Sequence, residues 1–185
     1  ASLFGMKLRL HTDQFNSIGG IDVALKYNAI SVDHLEVITD EDIEKLSKYS
    51  SEKNKKIVAV LLPGVSFFLN HKFAPARKLI EKEIPIALST DFNPGSSYIH
   101  NFHLIMSLAC LKMNMTIEET ISAVTINAAK ALCLENEIGS IEINKKADFA
   151  VFNTKDYSDI VYSIGKNLNY LTIKNGNIVY QQKEI

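Results

Sequence analysis

Short apolar runs alternate with polar loops and amphipathic stretches through the first ninety or so residues. Lys7-Leu8-Arg9-Leu10-His11 alternates charged and apolar positions, the period of a half-buried strand, and stops on a histidine. Residues 30–34 form a second such run, ending on His34, and residues 56–62 a third, almost wholly apolar and halted by Pro63-Gly64. A fourth covers residues 84–90 and gives way to Asp91, after which Asn93-Pro94-Gly95 forces a turn. Continuous apolar runs of this kind suit strands covered on both faces, as in parallel sheets. Between the runs lie helical stretches. One covers residues 18–27 with Ser17 as its cap and a first turn weakened by Gly19-Gly20. Another runs from Thr39 or Asp40 to about residue 50, and a third spans residues 73–83. Four strand-loop-helix units with no hairpin signal between them predict a parallel α/β architecture.

After Asp91 the pattern predicts two long helices, over residues 99–113 and 116–132, the second opened by the capping box of Thr116 and Glu119. From Glu137 the character changes to short β runs at residues 138–141, 148–152, 171–173 and 178–180. Asn175-Gly176 between the last two is a strong two-residue hairpin signal. The chain therefore divides into an α/β part, residues 1–134, and a small antiparallel appendage, residues 135–185.

Composition narrows the possibilities. With 46% hydrophobic and 22% charged residues in a chain of 185, a packed core is within reach. A net charge of −1, with no dominant basic stretch, argues against nucleic acid as the default partner. No apolar run approaches the length of a membrane span, and the opening residues lack the pattern of a signal peptide. Cys110 and Cys133 sit in helical, apolar contexts and read as reduced core thiols, which suits the cytoplasm. The Lys-rich stretch at residues 52–56 reads as the solvated end of a helix.

The chemistry would sit where strands end. His11, His34 and Asp91 each terminate a predicted strand, and in a β/α barrel all carboxyl ends converge on one face. Two imidazoles and a carboxylate suit zinc or iron better than magnesium or calcium, and such an ion acidifies water to near neutral pH. Singly, each has a structural alternative: His11 as a surface residue, His34 as a hydrogen-bonded core histidine, Asp91 as the start of an Asx-turn. His71 reads as solvent-facing, Arg77 as structural, and His100 with His103 as neighbours on one helix face.

His11-Thr12-Asp13-Gln14, Asp33-His34-Leu35, Leu61-Leu62-Pro63-Gly64 and Ser89-Thr90-Asp91-Phe92-Asn93-Pro94-Gly95-Ser96, in this order and spacing, resemble the amidohydrolase superfamily. The likeness is greatest to its imidazolone-hydrolysing branch. It continues through residues 104–110, 125–129, Gly139-Ser140-Ile141 and Lys145-Lys146-Ala147-Asp148, so it covers essentially the whole chain.

The resemblance implies strands five to eight of a metal-dependent TIM (β/α)8 barrel, followed by part of a β-sandwich. It implies His11 and Asp91 as ligands to one zinc or iron ion. His34 and Asp91 become the catalytic proton carriers, and Gln14, Asn93, Gly95 and Ser96 the substrate contacts. Gln14 stands where family members carry Glu or Gln, and as a neutral amide it can orient substrate but cannot act as the base. The implied reaction is hydrolysis of the cyclic C–N bond of 4-imidazolone-5-propanoate to N-formimidoyl-L-glutamate, in histidine degradation. Another cyclic amidohydrolase or deaminase is the near alternative, and a non-catalytic half-barrel that associates through its strand edges is the distant one. The superfamily's first-strand His-x-His pair is absent from this sequence. The chain is therefore expected to be the C-terminal part of a longer enzyme, which would be a homodimer at full length. By itself it is expected to be inactive and weak in metal binding.

Overall fold

The computed structural model describes residues 2–53 and 56–183. After a single 3-10 turn at Ser2–Phe4, four strands form one parallel sheet in sequence order: β1 (Arg9–Thr12), β2 (Ser31–His34), β3 (Val58–Leu61) and β4 (Ile86–Leu88). The connecting helices are α1 (Gly20–Lys26), α2 (Asp40–Lys53), then α3 (Pro63–Phe68) and α4 (Ala76–Glu81) between β3 and β4. The register pairs His11 with Asp33, Asp33 with Val60 and Val60 with Ala87, so one row of side chains crosses the sheet.

Strand alternation separates two faces. Val32, Ala59, Leu61, Ile86 and Leu88 join the main core with Ile21 and Ala24 of α1, Ile43 and Leu46 of α2, Leu79 of α4, and Ile105 and Ala109 of α5 (Phe102–Met113). The opposite face is apolar only over β3 and β4. There Val58, Val60 and Ala87 pack beneath Leu62, Val65 and Ala131. Ala131 belongs to α7 (Ile126–Ala131), whose Asn127 amide also donates to the Ile86 carbonyl at 3.0 Å.

The helix predicted over residues 116–132 is two helices, α6 (Ile117–Val124) and α7, broken at Thr125, whose φ and ψ are −118° and −98°. Thr125 bonds its hydroxyl back to the Ile121 carbonyl at 2.6 Å, a local bond that competes with helix continuation. The Thr116–Glu119 capping box is present in full. Arg77 holds α6 to the end of α5 by pairing with Glu119 and donating to the Asn114 carbonyl at 2.7 Å.

Other boundaries also differ from the pattern. Pro63-Gly64 does end β3, but it opens α3 with proline in the first turn, where its missing N–H is harmless. Gly19 (φ 88°), rather than Ser17, occupies the N-cap of α1, and the Ser17 hydroxyl reaches Asp42 instead. Gly20 is required by packing, since a Cβ there would lie 1.8 Å from the Thr12 hydroxyl oxygen. Residues 138–141 are not a strand. Gly139 has φ 92°, and the amides of Glu137 and Ile138 both return to the Leu134 carbonyl. Part of the Lys-rich stretch, residues 54 and 55, lies outside the described residues.

The appendage is a three-stranded antiparallel sheet, β5 (Phe149–Phe152), β6 (Asn169–Lys174) and β7 (Asn177–Gln181), with the short helix α8 (Asp159–Tyr162) before β6. Asn175 and Gly176 both have positive φ, the conformation a two-residue hairpin turn requires. Neither cysteine is a fully buried core thiol. Cys110 is half-buried and Cys133 exposed, and burial pushes the Cys110 thiol above its usual range. No described helix is long and apolar enough to cross a membrane.

Candidate active site

Over β1 and β2 the sheet face that is apolar elsewhere carries Arg9, His11, Ser31 and Asp33. The Arg9 Nε donates to the Ser31 hydroxyl at 3.0 Å, which donates to Asp33 Oδ1 at 2.9 Å. Asp33 Oδ2 lies 3.7 Å from the Arg9 guanidinium and 3.8 Å from His11 Nε2. Asp33 is nearly buried, whereas the His11 side chain is 67% exposed. A buried carboxylate flanked by a guanidinium and a hydroxyl is compensated in the way burial demands.

Alternation would send His34 to the helix-covered face beside Val32. Its φ of 86°, followed by 69° at Leu35, breaks the alternation and turns the ring back toward β1. Left-handed backbone at two consecutive residues with side chains costs on the order of 1–3 kcal/mol each. It is held by a fully buried Leu35 and by the amides of Leu35 and Val37, which bond the carbonyls of Thr12 and Asp13. In consequence His34 Nε2 sits 3.1 Å from His11 Nδ1, with ring centroids 5.0 Å apart. His34 Nδ1 faces Glu36 Oε1 at 3.3 Å, and the Ser66 hydroxyl approaches the same oxygen at 3.5 Å. The side chains of His34 and Glu36 are each 2% exposed.

Asp91 follows β4 with φ 47°, half-buried at the carboxyl end of the sheet. β1 and β4 are the two outer strands, three interstrand spacings apart, about 14 Å along a flat sheet. The loop after Asp91 is organised by Asn93. Its Nδ2 donates to the Asp91 carbonyl at 2.7 Å and to Asp91 Oδ2 at 3.3 Å, and its Oδ1 accepts from the amides of Gly95 and Ser96, both at 2.8 Å. Phe92, Tyr98 and His100 stack around this loop.

The structure therefore brings His11 and His34 together and adds Asp33, Glu36 and Ser66, which the sequence pattern did not single out. It gives His34 two partners inside the protein and almost no exposure. The Gly95 and Ser96 amides are spent on Asn93 rather than turned outward. Gln14 lies half-buried just beyond β1. His100 falls before α5, whose N-cap is Asn101, so it does not share a helix face with His103. His71 is not simply solvent-facing: its ring meets Phe15 edge-on and its Nδ1 is buried without a partner. Glu36 could have been suspected as a carboxylate two residues after a strand-end histidine, but a charge at that place reads equally well as loop.

For a metal ion the donor types fit and their number does not. An exposed imidazole nitrogen on His11 and a carboxylate on Asp91 are ligands that zinc or iron accepts. Among the described residues, no three or more His, Cys, Asp or Glu side chains are grouped to hold an ion. Such a site would take further ligands.

Residues 9–179 match the model of the amidohydrolase family. An imidazolonepropionase of Alkaliphilus metalliredigens is 43% identical over 98% of this chain, and one of Christiangramia forsetii 45% identical over 95%. The chain spans about two fifths of the length of these relatives, 42% and 41% respectively. Among solved structures, a zinc-bound adenosine deaminase of Xanthomonas campestris superposes with a TM-score of 0.78 at 19% identity, covering 96% of this chain and 46% of that one. An amidohydrolase of Thermotoga maritima does so at 0.69 and 25% identity, covering 96% and 44%.

Proposed function

The chain belongs to the amidohydrolase family, and from that premise we propose that its protein opens the cyclic C–N bond of 4-imidazolone-5-propanoate to give N-formimidoyl-L-glutamate. The observation that carries this reading is sustained identity to imidazolonepropionases, 43% across 98% of the chain in one case. In this reading the four parallel strands are strands five to eight of a (β/α)8 barrel. Residues 135–185 are the closing part of a β-sandwich, and the protein works in the cytoplasm, as a homodimer at full length.

His11 and Asp91 would hold one zinc or iron ion together with further ligands. When bound, such an ion supplies Lewis acidity at the ring carbonyl and a water that ionises near neutral pH. The chain's own groups then divide the work. Asp91, half-exposed beside the loop, takes the proton of the attacking water and passes it toward the leaving ring nitrogen. His34, sealed between His11 and Glu36, orients His11 and reaches the reacting atoms only if its ring leaves that position. Gln14 orients the substrate by hydrogen bonds. Asn93 fixes the loop that carries Asp91, so its contribution to binding is through the loop's shape.

The test is turnover by the protein expressed at the full length of its open reading frame. Loss of the imidazolone chromophore with formation of N-formimidoyl-glutamate is the expected result. Hydrolysis of guanine or a dihydropyrimidine, with the imidazolone untouched, would overturn the assignment.

A further inference from the structure

The loop that carries Asp91 is at least partly exposed everywhere but at one point. Among residues 91–100 only Ser97 is buried, with none of its surface exposed. Its hydroxyl donates to the Thr90 carbonyl at 2.7 Å, across the mouth of the loop. We propose that Ser97 is a positioning residue that, seated against Gly64, fixes the peptide leading into Asp91 and so aims the Asp91 carboxylate.

The reason lies in the backbone. The ladder between β3 and β4 ends where the Ser89 amide bonds the Leu61 carbonyl at 3.2 Å, and the Thr90 carbonyl lies past that end. This carbonyl shares a rigid plane with the Asp91 amide, so holding one side of the plane holds the other. Asp91 itself is left-handed, with φ 47°, a conformation that a residue with a side chain keeps only where its surroundings impose it. Three bonds do so. The Ser97 hydroxyl holds the Thr90 carbonyl, Asn93 Nδ2 holds the Asp91 carbonyl at 2.7 Å, and the Phe92 amide bonds the Thr90 hydroxyl at 3.3 Å. The Asn93 amide then returns to the Ser97 carbonyl at 3.0 Å and closes the loop on its anchor. Of these residues only Ser97 is buried.

Gly64 supplies the seat. A Cβ at this position would lie 3.2 Å from Ser97 Oγ, 3.6 Å from the Thr90 carbonyl oxygen and 2.8 Å from Ile105 Cδ1. Gly64 is not left-handed, and it stands in the first turn of α3, so the backbone does not require glycine there. Within a helix alanine is the more favourable residue. What glycine provides is room beside Ser97. Ile105 Cδ1 ends a flexible side chain and can swing aside, whereas Ser97 Oγ moves only by giving up its bond to Thr90. The end of β3 thus leaves space for the hydroxyl that fixes the end of β4.

The consequence for turnover rests on the reading of Asp91 as the proton carrier, but the anchoring itself does not. The experiment compares Ser97→Ala, Gly64→Ala and the double variant of the full-length protein. Backbone hydrogen exchange is read by mass spectrometry, and kcat and KM are measured with the imidazolone. In Ser97→Ala, exchange over residues 90–97 is expected to quicken about threefold to tenfold, with β3 and α5 unchanged. In the same variant kcat is expected to fall about tenfold to a hundredfold with KM within about twofold, because a small misplacement of a reacting group is enough. Gly64→Ala should lower kcat by itself but add little in the Ser97→Ala background, where no hydroxyl is left to displace. A folded Ser97→Ala with unchanged kcat or unchanged loop exchange overturns the inference, as does a Gly64→Ala penalty of equal size in both backgrounds. If Ser97→Ala does not fold, Ser97→Cys, whose thiol donates only weakly, decides by the same readings. Quickened loop exchange in Ser97→Ala, with no imidazolone turnover by the unaltered protein, would sink the proposed function and leave the anchor standing.

Discussion

One face of the parallel sheet is built in two ways. Over β3 and β4 it presents Val58, Val60 and Ala87, sealed by Leu62, Val65 and Ala131. Over β1 and β2, in the same register row, it presents Arg9, His11, Ser31 and Asp33, and His11 stands largely open. The backbone is the same throughout, so the difference is one of side chains and of what covers them. The apolar half is a core that α7 completes. In the polar half, the buried Asp33 carboxylate accepts a hydrogen bond from Ser31, and the His11 imidazole lies between His34 and Asp33 with most of its surface open to solvent. That division is what a site built on a packed sheet requires.

The sharpest way to break the distinction is to put a charge into the wrong half. Val60→Asp leaves an unpaired carboxylate in the sealed half and should cost about 4 kcal/mol or more, read as loss of cooperative unfolding in denaturant. Asp33→Asn, one strand away in the same row, can still accept the hydrogen bond from the Ser31 hydroxyl and should cost far less, about 1 kcal/mol. Equal costs would show that the two halves are not different environments.

A smaller effect tests the joint between β1 and α1. Gly20→Ala places a methyl group against Thr12, next to His11, and should cost about 1–3 kcal/mol by overpacking. Gly176→Ala has open space around its new methyl but a φ of 78°, so only about 1 kcal/mol of backbone strain is expected. Thermal unfolding of the two variants side by side separates packing from backbone.

The smallest effect is electrostatic. Burial pushes the Glu119 carboxyl up, but the Arg77 guanidinium and the Thr116 amide outweigh it and hold the group below its ordinary value. A lowered folded-state value means that the stabilisation is present above the unfolded carboxylate range, about pH 4.3, and is lost as pH falls below it. Glu119→Gln should flatten the stability profile in that acid window and cost about 1 kcal/mol at neutral pH. An unchanged acid limb would remove the Arg77–Glu119 pair from the account.

Most of the scaffold was legible in the residues because its signals are local. Period-two and continuous apolar runs gave the four parallel strands, Thr116 with Glu119 gave a helix start, and Asn175-Gly176 gave the hairpin. What escaped depends on tertiary contact. Thr125 breaks a helix so that α7 can cover the second face, and Gly20 is dictated by Thr12 across a gap no pattern encodes. The candidate site was half legible for the same reason. Strand ends pointed to His11, His34 and Asp91, but the inward turn of His34 follows from a backbone conformation unusual for a side-chain-bearing residue. With it came Glu36, visible only once that turn is known.

The account stands or falls on His11 as a metal ligand at the open end of the polar half. The direct measurement is metal content, by elemental analysis, of the full-length protein and of its His11→Ala variant, both purified without chelator. The prediction is about one zinc or iron per chain in the former and essentially none in the folded variant. Equal metal in both would contradict it.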